Sequence, residues 1–388
     1  MVDFNKRIDR KGTNCVKWDF MGVDNPEGYI PSSIADMEFA VAKEIRAAMK
    51  ARIDRQIFGY TLSATEDYYS AVTGWFRRRF NWYFEGNQIA IAPGIVPALG
   101  VLVRAFTEVG EGVVIQTPVY YPFGMMVGNN DRVIVENPLA EDKGVYSIDF
   151  EDLERKLADE NNTMMILCSP HNPMGRLWTE EELEQIIDLC VFYDVTLVSD
   201  EIHCDIIRIN KQHIPAATLS NYSKLITCTS ASKSFNLAGL QHSNIIFNDV
   251  KMIEEWNQEI LGRTGLFGSS IFGHIATMTA YNECEYWLDE MNAYVEDNLK
   301  FIGVFLEKHL PKAVYHVSEA TYFAWIDLRA YIDDHEALED KMKNEAKLIL
   351  DEGYIFGQAG QCFERLNVAC PQAMLEECLM RIKKSLIA

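Results

Sequence analysis

The sequence predicts an α/β protein: a large domain with a mostly parallel sheet flanked by helices, plus a smaller α+β domain. Three observations carry this. Through the middle of the chain, short apolar runs alternate with segments of helical periodicity. Those runs are near-continuous in apolar residues rather than alternating, as strands covered on both faces require. After about residue 285 the pattern changes to long amphipathic helices separated by two strand-like runs. The expected division is residues 48–285 for the large domain, with 1–47 and 286–388 forming the small one. A chain of 388 residues exceeds what a single core usually supports.

In chain order, "QIAIAP" reads as a strand and "GIVPALGVLVRAFTEV" as the helix that follows it. The runs "GVVIQTP", "TMMILCSP", "VTLVSDEI", "KLITCTSAS" and "SNIIFN" are further strands, each ending near a turn or a polar group. Between them, "TEEELEQIIDLCVFYD" opens with a Thr cap and acidic residues and then repeats its apolar positions at helical spacing. In the C-terminal part, "DEMNAYVEDNLKFIGVFLEKHL" is a long helix and "TYFAWIDLR" a strand. "HEALEDKMKNEAKLILDEG" reads as one helix closed by Gly353, "ERLNVAC" as a strand, and "PQAMLEECLMRIKKSLIA" as a last helix with Pro near its start. The N-terminal segment carries too little apolar material to stand alone and is expected to pack on this second domain.

Composition narrows the function. Hydrophobic residues make up 48% of the chain, which excludes a mainly disordered protein. The net charge of −21 opposes nucleic-acid binding, which needs a basic face. No apolar run approaches the roughly 20 residues of a membrane helix. Nine cysteines without a CxxC pair, and the polar start "MVDFNKRIDR", point to a reduced, cytoplasmic protein.

Four elements carry chemistry. In "SASKSFNLAGLQ" a lysine, Lys233, stands among small residues that leave room for something bulky on its amine. "VSDEIH" puts Asp200 at the end of a strand too apolar for an unpartnered carboxylate; a helix cap is the other reading. "SPHNPMG" offers Asn172 as an amide donor at a strand end, or as part of an Asn-Pro turn. "APGIVPAL" opens onto a helix start, whose backbone N–H groups suit an anion. Strand ends of this kind line the ligand crevice of open parallel sheets.

Together these describe a site for pyridoxal 5′-phosphate (PLP), an aromatic, phosphorylated aldehyde. Lys233 would form the imine and Asp200 would keep the pyridine nitrogen protonated, so that the ring accepts electrons. Asn172 would bond the phenolic oxygen. The amides of Gly94, Ile95 and Val96, with the hydroxyls of Ser230 and Ser232, would hold the phosphate. Tyr121 in "TPVYYPF" is placed to stack on the ring, or else is ordinary core packing.

The ordered set NP–G, SDE, SxSK and a late Arg strand resembles the fold-type I superfamily of class I and II aminotransferases, over essentially the whole chain. "IADMEFA", "FGYT", "PGIVPALGVLVRAF", "DEIHCD", "SASKSFNLAGLQ", "YFAWIDLR" and "GQCFERLNVACPQ" resemble more closely the MalY/PatB group of cystathionine β-lyases. The resemblance implies a homodimer in which Tyr60 reaches the neighbouring subunit's cofactor phosphate. It implies that Arg365 clamps the amino-acid α-carboxylate, and that His203 stands near the ring oxygen where many aminotransferases carry a tyrosine. Arg365 in a surface ion pair is the structural alternative, and no metal is expected from the His-Cys-Asp run. Two positions depart from pattern. Glu38 replaces the group's usual Asp, and Gln241 stands where aminotransferases place a phosphate-binding Arg.

The implied reaction is α,β-elimination on a sulfur amino acid, giving a thiol, pyruvate and ammonia. An aminotransferase needs the same Lys, Asp, Asn and Arg, and a non-catalytic PLP-binding regulator would retain the fold. Gln241 and the group-like motifs favour the lyase.

Overall fold

The computed structural model describes residues 2–20, 23, 27–62, 65–266 and 270–387. Its strands, in chain order, begin with β1 (Ile30–Pro31), β2 (Ile89–Ala92), β3 (Gly112–Ile115) and β4 (Val133–Glu136). A small hairpin, β5 (Ala140–Asp142) and β6 (Val145–Ser147), precedes β7 (Asn162–Cys168), β8 (Thr196–Asp200), β9 (Leu225–Thr229) and β10 (Ser243–Phe247). The last five are β11 (Val314–Tyr315), β12 (Phe323–Asp327), β13 (Leu348–Ile349), β14 (Asp351–Glu352) and β15 (Phe363–Asn367).

Seven strands form one sheet in the order β2-β10-β9-β8-β7-β3-β4. Only β10 runs against its neighbours; the rest are parallel. The period-2 geometry of a strand explains the continuous apolar runs. Met164, Ile166 and Cys168 of β7 enter one core, while Met165 and Leu167 enter the other. The helix Ile95–Phe106 covers the first face with Ile95, Leu99 and Leu102. The helix Glu180–Phe192 covers the second with Leu183, Ile186 and Ile187. Its start is a capping box between Thr179 and Glu182, as the acidic run after Thr predicts.

The C-terminal part holds a four-stranded antiparallel sheet, β11-β12-β15-β14. The helix Glu285–His309 packs Leu288, Met291, Val295 and Leu299 into a core shared with Leu375, Leu379 and Ile382 of the final helix, Gln372–Ile387. β1 pairs in parallel with β13, so the N-terminal segment adds a strand here.

One predicted helix is cut short. "HEALEDKMKNEAKLILDEG" is α-helical only over His335–Asp340, with a wider turn over Lys341–Glu345. Lys347 adopts a left-handed backbone (φ 53°), which ends the helix. The following apolar residues, Leu348 and Ile349, pair instead with Ile30 and Pro31, and Asp351 and Glu352 pair with β15. Gly353 opens a short 3₁₀ turn rather than capping the helix.

Candidate active site

The carboxyl ends of β2, β7, β8 and β9 lie at one edge of the large sheet. Cys168 is level with Asp200, Asp200 with Cys228, and Ala92 with Ser243 at the start of the antiparallel β10. The loops that leave these ends enclose a cavity of about 180 Å³. Its wall includes Gly94, Ile95, Val96, Tyr120, Asn172, Asp200, His203, Ser232, Lys233 and Gln241. Residues more than a hundred positions apart meet because the parallel strands all end on the same side.

Each loop is locked by local bonds. Asn172 donates its backbone N–H to Cys168 Sγ at 3.4 Å and accepts from Tyr120 N–H at 3.1 Å. The Gly175 that closes "SPHNPMG" is left-handed (φ 68°), and a Cβ there would stand 2.4 Å from the Ala320 carbonyl. Only glycine lets this turn lie against residues 318–321. Lys233 sits in a one-turn helix, Ala231–Ser234, whose cap is Ser230: its Oγ accepts from Ser232 N–H at 3.0 Å. Ser234 Oγ donates to Asp205 at 2.7 Å, which also receives Trp75 Nε1 at 3.1 Å. Small residues around the lysine therefore serve the turn as well as leaving space.

The electrostatics point to an electron-poor, charged ligand. Asp200 is buried, and its carboxylate accepts only the Ile202 N–H, at 3.1 Å, among the described residues. Burial pushes its carboxyl up to about 7, with nearby Glu201 adding to the rise and Lys233 opposing it. The Lys233 amine is pulled down to about 8, chiefly by burial and also by Arg365, against the pull of Asp36 and Asp200. It donates to the carbonyl of Ala35 at 2.7 Å, an oxygen also held by Tyr322 Oη at 3.0 Å. His203 is held neutral by burial and by the positive charges of Lys233 and Arg365, and its buried Nδ1 has no partner among the described residues.

Four expected residues are not on this cavity wall. Tyr121 is 43% exposed and outside the cavity wall; its neighbour Tyr120 lines the cavity instead. The turn entering the helix Pro122–Gly128 rotates the second tyrosine outward. Ser230 does not line the cavity, because its hydroxyl hydrogen is given to the His242 carbonyl at 2.7 Å. Arg365 is not itself on this wall but adjoins it through Asn172. It is sandwiched between Phe323 (4.0 Å) and Phe356 (4.8 Å), donates to Asn172 Oδ1 at 2.8 Å, and pairs with Asp351. Tyr60 is fully exposed, away from this cavity.

The turn at Ala35 was legible only as a motif. "IADMEFA" is bolted down by side chains from three regions. Asn367 Nδ2 donates to the Ile34 and Asp36 carbonyls at 2.8 Å each, and Asn236 Nδ2 to the Met37 and Phe39 carbonyls at 3.0 Å each. Glu38, buried, receives Lys17 Nζ at 2.8 Å, Arg10 at 3.0 Å and Trp18 Nε1 at 3.1 Å.

These residues fit PLP. The isolated, buried Asp200 carboxyl awaits a cationic N–H, the partly buried Lys233 amine suits an aldehyde, and the helix start at Gly94 suits a phosphate. No Arg or Lys other than Lys233 lines the cavity among the described residues.

Residues 32–382 match the family described as aminotransferase class I and II, and the chain belongs to it. Within it, the chain falls in the MalY/PatB group of PLP fold-type I proteins. It is 42% identical to the cystathionine beta-lyase PatB of Bacillus subtilis, over 99% of this chain and 100% of that protein. It is 33% identical to protein MalY of Escherichia coli, over 97% of both. Among solved structures, cystalysin from Treponema denticola, which contains a pyridoxal 5′-phosphate cofactor, superposes with a TM-score of 0.96 at 39% identity, covering 100% of this chain and 99% of cystalysin. A PLP-bound C–S lyase from Staphylococcus hominis gives 0.94 at 36% identity, covering 99% and 98%.

Proposed function

We propose that this protein is a PLP-dependent carbon–sulfur β-lyase that converts a sulfur amino acid to a thiol, pyruvate and ammonia. The placing of the Lys233 amine and the buried Asp200 carboxyl on one cavity wall supports PLP chemistry. The 42% identity to the cystathionine beta-lyase PatB, with Gln241 rather than an arginine on that wall, carries the choice of elimination over transamination. When bound, PLP supplies an electron sink for negative charge developing at the substrate α-carbon. The Lys233 amine would be the base that takes the α-proton. Its bond to the Ala35 carbonyl keeps the free amine inside the cavity rather than in solvent.

Asp200 would hold the proton on the ring nitrogen, and Tyr120 would cover the ring face. Asn172, with Oδ1 engaged by Arg365, has its NH₂ for the ring oxygen, and neutral His203 stands beside it. The N–H groups of Gly94, Ile95 and Val96, with Ser232 and Gln241, would hold the phosphate. Arg365 would bind the α-carboxylate.

A phosphate held without a cation from this chain supports a contribution from a second copy. Tyr60 lies on an exposed stretch with Ile57, Phe58 and Leu62, and covering it in a homodimer would bring Tyr60 to the partner's cavity. Among the described residues no helix is long and apolar enough to cross a membrane. Nine unpaired cysteines support a reduced, cytoplasmic setting. For the domains, the confinement of the seven-stranded sheet to 89–247 and of the four-stranded sheet to 314–367 supports two parts. The expected 47/48 boundary falls inside the helix Lys43–Ile53, and 285/286 just after the start of the helix Glu285–His309, so the boundaries belong at the ends of those helices.

The test is incubation of the holoenzyme with L-cystathionine and no oxo-acid acceptor. Pyruvate accumulating over many turnovers is expected. Pyruvate absent or limited to a single equivalent, with turnover restored by an oxo acid, would make the protein an aminotransferase.

A further inference from the structure

We propose that Asp351 is a built-in competitor for the carboxylate-binding arginine and thereby sets how weakly amino acids are held. This rests on the reading of Arg365 as the α-carboxylate clamp. Asp351 and Arg365 are directly opposed on the antiparallel strands β14 and β15. Cross-strand neighbours of this kind have their side chains on one face, within reach of each other. The guanidinium is 3% exposed and the Asp351 carboxylate 17%, so water screens the pair poorly.

The competition is specific to one nitrogen. A guanidinium receives a carboxylate bidentately either side-on, through Nε and Nη2, or end-on, through Nη1 and Nη2. Both edges use Nη2. That nitrogen donates to Asp351, with a longer contact to the Ser33 carbonyl at 3.4 Å. Nη1 donates to Asn172 at 2.8 Å, and the buried Nε has no partner among the described residues. An arriving carboxylate therefore meets the shared nitrogen already holding an anion.

Two opposite effects of Asp351 must be weighed, orientation and charge. Orientation does not depend on it: Asn172, the Ser33 carbonyl and the faces of Phe323 and Phe356 already fix the guanidinium plane. Charge does depend on it, because Asp351 is the only carboxylate paired with Arg365 among the described residues. With Asp351 present, a substrate carboxylate becomes the second anion on one cation. Without it, the resting protein buries an uncompensated guanidinium, and the substrate carboxylate removes that penalty on binding. The charge of Asp351 also reaches the cavity wall. Burial pushes the Tyr120 hydroxyl up to about 12, while Arg365 draws it down and both Asp200 and Asp351 raise it.

The test titrates holoenzyme with L-alanine, which has no β leaving group and so cannot be eliminated, following the cofactor absorbance. Asp351→Asn is expected to lower the Kd for L-alanine about tenfold, within the range of site-to-site coupling. With L-cystathionine the change is expected in KM more than in kcat. The ligand-free Tm of the variant should fall, and L-alanine should raise it further than it raises the wild type. Asp351→Glu, which keeps the charge, should bind L-alanine close to wild type. An unchanged or weaker L-alanine affinity in Asp351→Asn overturns the proposal; if that variant does not fold, Asp351→Ser is read by the same criterion. Arg365→Ala separates the two readings. If it leaves the L-alanine Kd unchanged, the clamp itself is misassigned, whereas weakening there with no tightening in the Asp351 variants rejects only the competitor.

Discussion

Lys233 and Ala35, 198 positions apart, are joined by a 2.7 Å hydrogen bond from the lysine amine to the backbone carbonyl. The Lys233 amine, positioned by the large sheet, is thus steadied by an N-terminal turn. That turn is held by Asn367 of β15, by Asn236 three residues beyond the lysine, and by Asp36 and Glu38 through Arg10 and Lys17. The proposed base and the proposed carboxylate clamp are consequently fixed by one network, since Arg365 and Asn367 share a strand.

The bolt at Glu38 can be loosened without touching the cavity. Glu38→Gln leaves Lys17, 2% exposed, with Asp36 as its only carboxylate among the described residues. Removing one member of a buried charge network costs about 3 kcal/mol. Urea denaturation should show a midpoint shift of that order with an unchanged slope, and a shift under about 0.5 kcal/mol would place the cluster among surface pairs.

Cofactor capture by the apoprotein should follow the Lys233 amine. Its depressed value, about 8, means that the neutral nucleophilic form predominates above that pH. Stopped-flow absorbance after mixing with PLP should give a rate that rises with pH and levels off above about 8. Lys233→Ala should bind PLP without a borohydride-reducible linkage and should not turn over. A rate independent of pH between 6 and 10, or a retained linkage, contradicts the assignment.

Asp200 makes a prediction whose sign is opposite to that of an ion-paired carboxylate. Its value in the folded apoprotein, about 7, lies above the ordinary 3.8, so the folded state holds the proton more tightly. Whatever stability this contributes is fully present below about pH 4 and is lost as pH rises through 7. Apo Asp200→Asn should therefore melt higher than the wild-type apoprotein at pH 8, with the gap closing toward pH 4. Its holo form should lose turnover about a hundredfold or more. Equal apoprotein Tm values at pH 8 would remove the basis for an uncompensated carboxyl.

The two adjacent tyrosines are separable. Tyr120→Ala should raise the Kd for PLP about tenfold, the loss of one aromatic face. Tyr121→Ala, at an exposed position, should change it by less than about threefold. The reverse order, measured by equilibrium cofactor titration, would show that the loop rearranges when PLP binds.

Much of this site was legible because it is local. Asp200 ends an apolar strand, Asn172 and Lys233 follow strands directly, and Gly94 precedes a helix; each can be read from a window of ten residues. Tyr120 and Tyr121 differ only in which way a turn directs them, and a spacing argument has no access to that. Ser230 illustrates the same limit, since its hydroxyl is consumed by the carbonyl of His242, twelve residues on. The failed helix beyond Asp340 was lost to partners far away: Leu348 and Ile349 find hydrogen bonds on β1, more than 300 residues earlier.

The sequence by itself determined the sheet, its flanking helices and the placing of Asp200 and Lys233 at neighbouring strand ends, because apolar periodicity and strand-end chemistry act over short stretches of chain. Only the tertiary structure decided which carbonyl receives the Lys233 amine, which tyrosine faces the cavity and which acid occupies Arg365. Those are encounters between segments remote in sequence, settled by where parallel strands end and how two sheets lie together, and no local pattern of residues encodes a distance across the fold.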